Sequence, residues 1–148
     1  MKAGEVMTQG AATVRPDALL AEAVRVMVEH RISGLPVVDA HDKLVGVITE
    51  GDFLRPRGKR KSRLIAVLAG DGAAAAGELN SRRVQDLMTR DPITIGPETP
   101  VEEIVALMTR HNVKRLPVLA QGRVVGIVSR ANLLSALLRK AQAGPNPG

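Results

Sequence analysis

The chain has 148 residues, enough for one domain or for two half-domains sharing a core, and 45% of them are hydrophobic. A single Phe, with no Tyr or Trp, argues against the aromatic stacking platforms that most single-strand nucleic-acid binders use. Cysteine is absent, which excludes disulfides, thiolate catalysis and Cys-based metal sites, and the formal charge is +6.

That charge is local. Arg55, Arg57, Lys59, Arg60, Lys61 and Arg63 put six positive charges into nine residues, and the 15 remaining basic residues balance the 15 acidic ones. The segment Met1-Lys2-Ala3-Gly4-Glu5 carries no signal-like apolar region, and no stretch approaches the length of a membrane span, so a soluble cytoplasmic protein is expected.

In chain order, Ala12-Thr13-Val14 reads as a short extended piece closed by Arg15-Pro16. Leu20, Ala23, Val24 and Met27 fall at i, i+3, i+4 and i+7, which predicts an amphipathic helix ending near His30. Leu35-Pro36-Val37-Val38 and Leu44-Val45-Gly46-Val47-Ile48 are β-rich runs joined by a turn at Asp39-Ala40-His41-Asp42. Pro36 is placed at the start of its strand, where a missing donor is tolerated. A second helix is expected from near Thr49 to Pro56, since proline disfavours helix in the residue before it.

A connector over 57–82 follows. It holds most of the basic run, a short helix over Leu64 to Leu68, the turn Gly70-Asp71-Gly72 and an alanine tract ending at Gly77. Gly72 to Gly77 has the spacing that opens a P-loop, but Glu78-Leu79 stand where Lys and Ser/Thr are required, so that reading is rejected. The basic run has three readings: a solvated linker, a contact for a phosphate-bearing ligand or acidic partner, or a nucleic-acid arm limited to backbone contacts.

From Met88 the pattern begins again. Met7 to Leu54 lies on Met88 to Leu134 with one residue deleted, and fourteen positions match identically, among them Met7, Thr8, Thr13, Met27, His30, Leu35, Pro36, Val37 and Gly46. Val101, Ile104, Val105 and Met108 repeat the apolar stripe behind Thr99-Pro100-Val101-Glu102, which has the form of a capping box. The first copy has Ala18 in place of Thr99, with Asp17 as a substitute, so its helix is expected to fray more, by about 1 kcal/mol. Met27 and Met108 are core by position, and His30 and His111 sit at matching helix C-termini, where a cation suits the dipole. The expected organisation is a first repeat over 1–56, the connector, a second repeat over 83–141 and a disordered tail over 142–148. Each repeat reads strand, helix, strand, strand, helix, an α/β (α+β) class.

The segment Gly46-Val47-Ile48-Thr49-Glu50-Gly51-Asp52 answers to Gly126-Ile127-Val128-Ser129-Arg130-Ala131-Asn132. In both, an apolar strand runs into a hydroxyl residue, with a short acceptor side chain three positions later. One reading is a helix start whose free N–H groups suit an anion, with the hydroxyl on a phosphate and the carboxylate on ribose hydroxyls. The other is a plain helix cap. No nucleophile–base pair or acidic metal cluster recurs in both halves, so an enzyme finds no support.

Together, Met-Thr at 7–8 and 88–89, the second Thr at 13 and 94, Leu-Pro-Val at 35–37 and 116–118, and the Gly-x-x-Thr/Ser-x-x-Asp/Asn motif resemble a tandem pair of CBS domains. The resemblance covers Ala3 to Leu138. It implies two β-α-β-β-α repeats packed as a pseudo-two-fold pair with clefts between them, commonly a homodimer, and a regulatory sensor of adenine nucleotides (AMP, ADP or ATP) or of S-adenosylmethionine. No covalent cofactor is implied. The first cleft would use Thr13, Val14, the segment Ile32 to Val37 including Pro36, Thr49 and Asp52. The second would use Thr94, Ile95, Val113, Lys114, Arg115, Pro117, Val118, Ser129, Arg130 and Asn132. Asn132 departs from the family's usual Asp and should weaken ribose binding by ~1–2 kcal/mol. Lys114, Arg115 and Arg130 could pair with phosphates, or Lys114 and Arg115 could be solvated surface; Glu50, in the place of Arg130, would repel them. The competing reading is a structural adaptor whose basic linker docks an acidic partner protein or nucleic acid.

Overall fold

A computed structural model describes residues 1–54, 70 and 72–144. The expected helix over Leu64 to Leu68, the whole basic run from Arg55 to Arg63, the helix stop at Pro56 and most of the C-terminal tail lie outside the described residues. The elements are α1 (Ala3–Val6), β1 (Thr8–Gln9), α2 (Leu20–His30), β2 (Gly34–Val38), β3 (Leu44–Thr49), α3 (Glu50–Leu54), α4 (Gly72–Ser81), a 3-10 turn (Val84–Asp86), β4 (Thr89–Arg90), α5 (Val101–His111), β5 (Arg115–Ala120), β6 (Arg123–Ser129) and α6 (Arg130–Gln142). They make two compact units, one of Ala12–Pro92 and one of Met1–Ala11 with Ile93–Gly148.

The units do not follow the repeat boundaries. Each repeat gives its first ten or so residues to the other's unit. In the Ala12–Pro92 unit the antiparallel sheet runs β2-β3-β4, with Gly46 opposite Arg90 and Val47 opposite Thr89. In the other unit it runs β5-β6-β1, with Gly126 opposite Gln9 and Ile127 opposite Thr8. The exchanged segments carry core residues: Val84, Leu87 and Met88 join Leu20, Met27, Leu35, Val37 and Ile48, while Ala3 and Val6 join Ile104, Met108, Leu116, Val118 and Val128. Met27 and Met108 are buried, as their place on the apolar stripe predicts.

The glycine shared by the two copies makes this exchange possible. A Cβ on Gly46 would stand 2.8 Å from the Thr89 carbonyl oxygen and 2.9 Å from Met88 Sδ. On Gly126 it would stand 2.7 Å from both the Thr8 oxygen and Met7 Sδ. Only hydrogen fits where the exchanged strand crosses.

The helix starts differ from expectation. Thr99 makes no side-chain cap on α5; its hydroxyl accepts from Gly96 N at 3.0 Å, and Pro100 is the cap residue, outside the first turn. Neither α2 nor α5 has a side-chain cap. The exchanged segments do that work with backbone: Arg82 O accepts from Leu20 N at 2.9 Å, and Met1 O accepts from Val101 N at 3.0 Å. Return bonds run from Val84 N to Ala18 O and from Ala3 N to Thr99 O. Both helices are therefore capped alike, and the Ala18/Thr99 difference gives no reason for α2 to fray more.

A further correction concerns Pro36. Pro36 is the third residue of β2, opposite Val47, and not its first. Its missing N–H lies on the outer side of the strand, where Pro36 O accepts from Val14 N and Val38 N donates to Val14 O, so no ladder bond to β3 is lost. The tract read as connector is helical as α4, with Leu79 packed on the core of its unit.

Candidate functional site

In the Ala12–Pro92 unit, three pieces of chain meet. Val14 lies parallel to Val37 through an isolated bridge. Gly34 pairs with Thr49 across the sheet, and Ser33 O accepts from Glu50 N at 2.9 Å, tying the start of β2 to the start of α3. The other unit repeats this with Ile95 bridged to Val118, Arg115 opposite Ser129, and Lys114 O accepting from Arg130 N at 3.0 Å.

The hydroxyl and acceptor of each motif bond to one another. Asp52 Oδ2 accepts from Thr49 N at 2.8 Å and from Thr49 Oγ1 at 3.2 Å. Asn132 Oδ1 accepts from Ser129 N at 2.8 Å and from Ser129 Oγ at 3.0 Å, while Ser129 Oγ accepts from Asn132 N. The cap reading therefore describes both motifs as they stand, with a full capping box at Ser129. All four side chains are half-buried and so remain reachable.

One partner was missed from sequence. Thr89 Oγ1, on the exchanged β4, donates to Asp52 Oδ1 at 3.0 Å. At the matching place Asn132 Nδ2 donates to Thr8 Oγ1 on β1 at 3.1 Å. The signal was present, since Thr8 and Thr89 are identical in the two copies, but they stand 124 and 37 residues from their partners.

Of the remaining candidates, Val14, Pro36 and Val37 are buried, as are Ile95, Pro117 and Val118. The side chains of Val14, Val37, Ile95 and Val118 serve the cores, so any ligand contact from these four would be through main chain or a bared edge, whereas Pro36 and Pro117 belong to neither core cluster. The N–H and C=O of Val14 and of Ile95 are already bonded to the neighbouring strand. Ile32, Val113 and Thr94 are half-buried and Thr13 is exposed. Lys114 and Arg130 are exposed and Arg115 half-buried, whereas the matching positions of the other unit hold Ser33, Gly34 and Glu50. Three cationic side chains thus answer to one anionic one. Among the described residues no group of His, Asp and Glu is placed to hold a metal ion.

The family model for the CBS domain matches residues 3–57 and 84–139, and the chain belongs to that family. Among relatives, an inosine-5'-monophosphate dehydrogenase of Methanocaldococcus jannaschii is 35% identical over 134 residues, covering 90% of this chain and 23% of the enzyme. The chloroplastic CBS domain-containing protein CBSX1 of Arabidopsis thaliana is 29% identical, over 95% of this chain and 66% of that protein. The chain thus spans about a quarter of the dehydrogenase and just under two thirds of the plant protein. Among solved structures, CBSX2 in complex with AMP has a TM-score of 0.74 at 29% identity, covering 95% of this chain and 98% of that one. The CBS domain pair of protein MJ0100, in complex with 5'-methylthioadenosine and S-adenosyl-L-methionine, has a TM-score of 0.73 at 27% identity, with the same coverage. No helix among the described residues is long and apolar enough to cross a membrane.

Proposed function

We propose that this chain is a regulatory module that binds an adenine nucleotide or adenosyl compound (AMP, ADP, ATP or S-adenosylmethionine class) at its CBS repeats and does no catalysis itself. The observation that carries this is the hydroxyl–acceptor–threonine arrangement, built at Thr49, Asp52 and Thr89 and again at Ser129, Asn132 and Thr8. A helix cap needs only the first two members. The third comes from the exchanged strand, so a ligand that draws on the acceptor also acts on the strand joining the repeats.

Asp52 accepts three hydrogen bonds here, and a carboxylate offers about four acceptor positions. A ribose hydroxyl takes the open position, and a second displaces the Thr89 hydroxyl. Thr13 and the main chain of Ile32 to Val37 border the base in this reading, as Thr94 and Val113 to Val118 do in the other unit. Binding shifts the module only through unequal affinity for its arrangements. Self-association as a homodimer is supported by Leu134, Leu137 and Leu138, which are 66, 65 and 59% exposed along one stripe of α6, and by Leu54 at the position matching Leu134. The regulated partner is a protein, and the setting is cytoplasmic, in keeping with the lack of cysteine.

Isothermal titration with AMP, ATP and S-adenosylmethionine tests the proposal. Saturable binding that Asp52→Ala weakens by about tenfold or more supports it. No heat with any of the three, together with salt-sensitive DNA retention lost on neutralising the basic run, would favour the adaptor reading instead.

A further inference from the structure

The composition leaves few side chains for an oxidant to attack. Cysteine, tyrosine and tryptophan are absent, and five methionines carry the chain's only sulfur. Met27, Met88 and Met108 are buried, Met1 is exposed, and Met7 is half-buried. Met7 and Met88 hold matching places in the two repeats. Each lays its thioether over the glycine of the neighbouring strand: a Cβ on Gly126 would stand 2.7 Å from Met7 Sδ, and one on Gly46 2.9 Å from Met88 Sδ. The two differ in exposure, and of the pair it is Met7 that solvent reaches.

The strand behind Met7 is lightly held. β1 has two ladder pairs, Thr8 with Ile127 and Gln9 with Gly126. Ala3 and Val6 are its buried apolar anchors, and Met7 packs against the same core. Gly10, just beyond, takes a left-handed backbone (φ 62°) with nothing within 4 Å of a would-be Cβ. An oxygen added to Sδ turns a flexible apolar side chain into a polar one. Against Gly126 and the core it must either lose its hydration or push the strand outward, because close packing leaves no room for another heavy atom. The strand, with two pairs and a glycine to turn on, is the part that yields.

We infer that Met7 is a modification site: oxidation of its thioether to the sulfoxide by a hydroperoxide, and reduction back, releases and re-seats β1 on β6. In the forward step a sulfur lone pair forms the S–O bond to the terminal peroxide oxygen and the O–O bond breaks. The proton of that oxygen passes to the departing one, which leaves as alcohol or water, and the sulfur has lost two electrons to the peroxide. In the reverse step a dithiol removes the oxygen as water and becomes a disulfide. The inference is independent of which ligand the repeats bind.

The test treats the full chain with hydrogen peroxide, maps the added oxygen by peptide mass spectrometry, and follows urea unfolding and deuterium uptake. Met1 and Met7 are expected to gain oxygen before Met27, Met88 and Met108. The oxidised wild type should show a lower urea midpoint and faster uptake over residues 1–9, with uptake over 88–92 unchanged, and methionine sulfoxide reductases should restore both. Met7→Leu, which conserves volume and apolarity, should keep its midpoint and uptake under peroxide although Met1 is still oxidised. Met1→Leu should respond as the wild type does, which keeps the site testable if Met7→Leu does not fold. Oxidation of Met88 ahead of Met7, an unchanged midpoint and uptake once Met7 carries oxygen, or a change that the reductases do not reverse would overturn the inference.

Discussion

Replacing Gly46 by alanine should separate the exchanged strand from its host sheet. Gly46 has no left-handed backbone to protect, so the substitution carries no conformational strain; alone, the reduced freedom of the unfolded chain would stabilise the protein by about 0.4–1 kcal/mol. The new Cβ, however, stands 2.8 Å from the Thr89 carbonyl oxygen. Met88 Sδ can swing aside, but a backbone oxygen moves only with β4. Overpacking of this kind costs about 1–3 kcal/mol. Displacing β4 also stretches the Thr89–Asp52 bond, worth about 0.5–1.5 kcal/mol. The net expectation is destabilisation by about 2 kcal/mol, read as a lower urea midpoint. Gly77→Ala is the internal control. It lies within α4 with nothing within 4 Å of its would-be Cβ, so the same substitution should raise the stability by about 0.5–1 kcal/mol and the midpoint with it. A Gly46→Ala protein as stable as the wild type, or more so, would refute the claim that the strand exchange is packed through this glycine.

Arg31 holds the left-handed conformation after α2 (φ 53°), where the second copy has Asn112 at φ 52°. Arg31→Gly should therefore raise the melting temperature, by about 0.5–1 kcal/mol of stability, and no change would contradict the strain assigned to it. Thr89→Val removes the donor to Asp52 and should cost about 0.5–1.5 kcal/mol in urea unfolding while opening an acceptor position; equal stability would show that bond to be idle. Asp39 accepts from Lys43 N and His41 N, and these two bonds, Lys43 first, hold its pKa below the ordinary carboxylate value. A lowered folded pKa means the stabilisation is present above the unfolded value and is lost as pH falls through the folded one. The unfolding midpoints of the wild type and Asp39→Ala should accordingly differ at neutral pH and converge in acid below about pH 4; a constant difference would oppose this.

The elements that depend on local periodicity were legible in the residues alone. The stripe Leu20, Ala23, Val24 and Met27 gives α2, the run Leu44 to Ile48 gives β3, and their echoes give α5 and β6. So was the juxtaposition of Thr49 with Asp52 and of Ser129 with Asn132, because three residues along one chain span a helix start whatever the surroundings. Tertiary structure decided what crosses between the repeats. Met7-Thr8 and Met88-Thr89 are the same dipeptide, so no local property tells either strand which sheet to join. The space above Gly46 and Gly126 admits either strand, and it is the core places for Val84, Leu87, Ala3 and Val6 that distinguish the partners. The same cause explains the missing Thr99 cap: the residue pattern for a cap was present, but the Met1 carbonyl, brought in by the exchange, had already taken the first amide of α5.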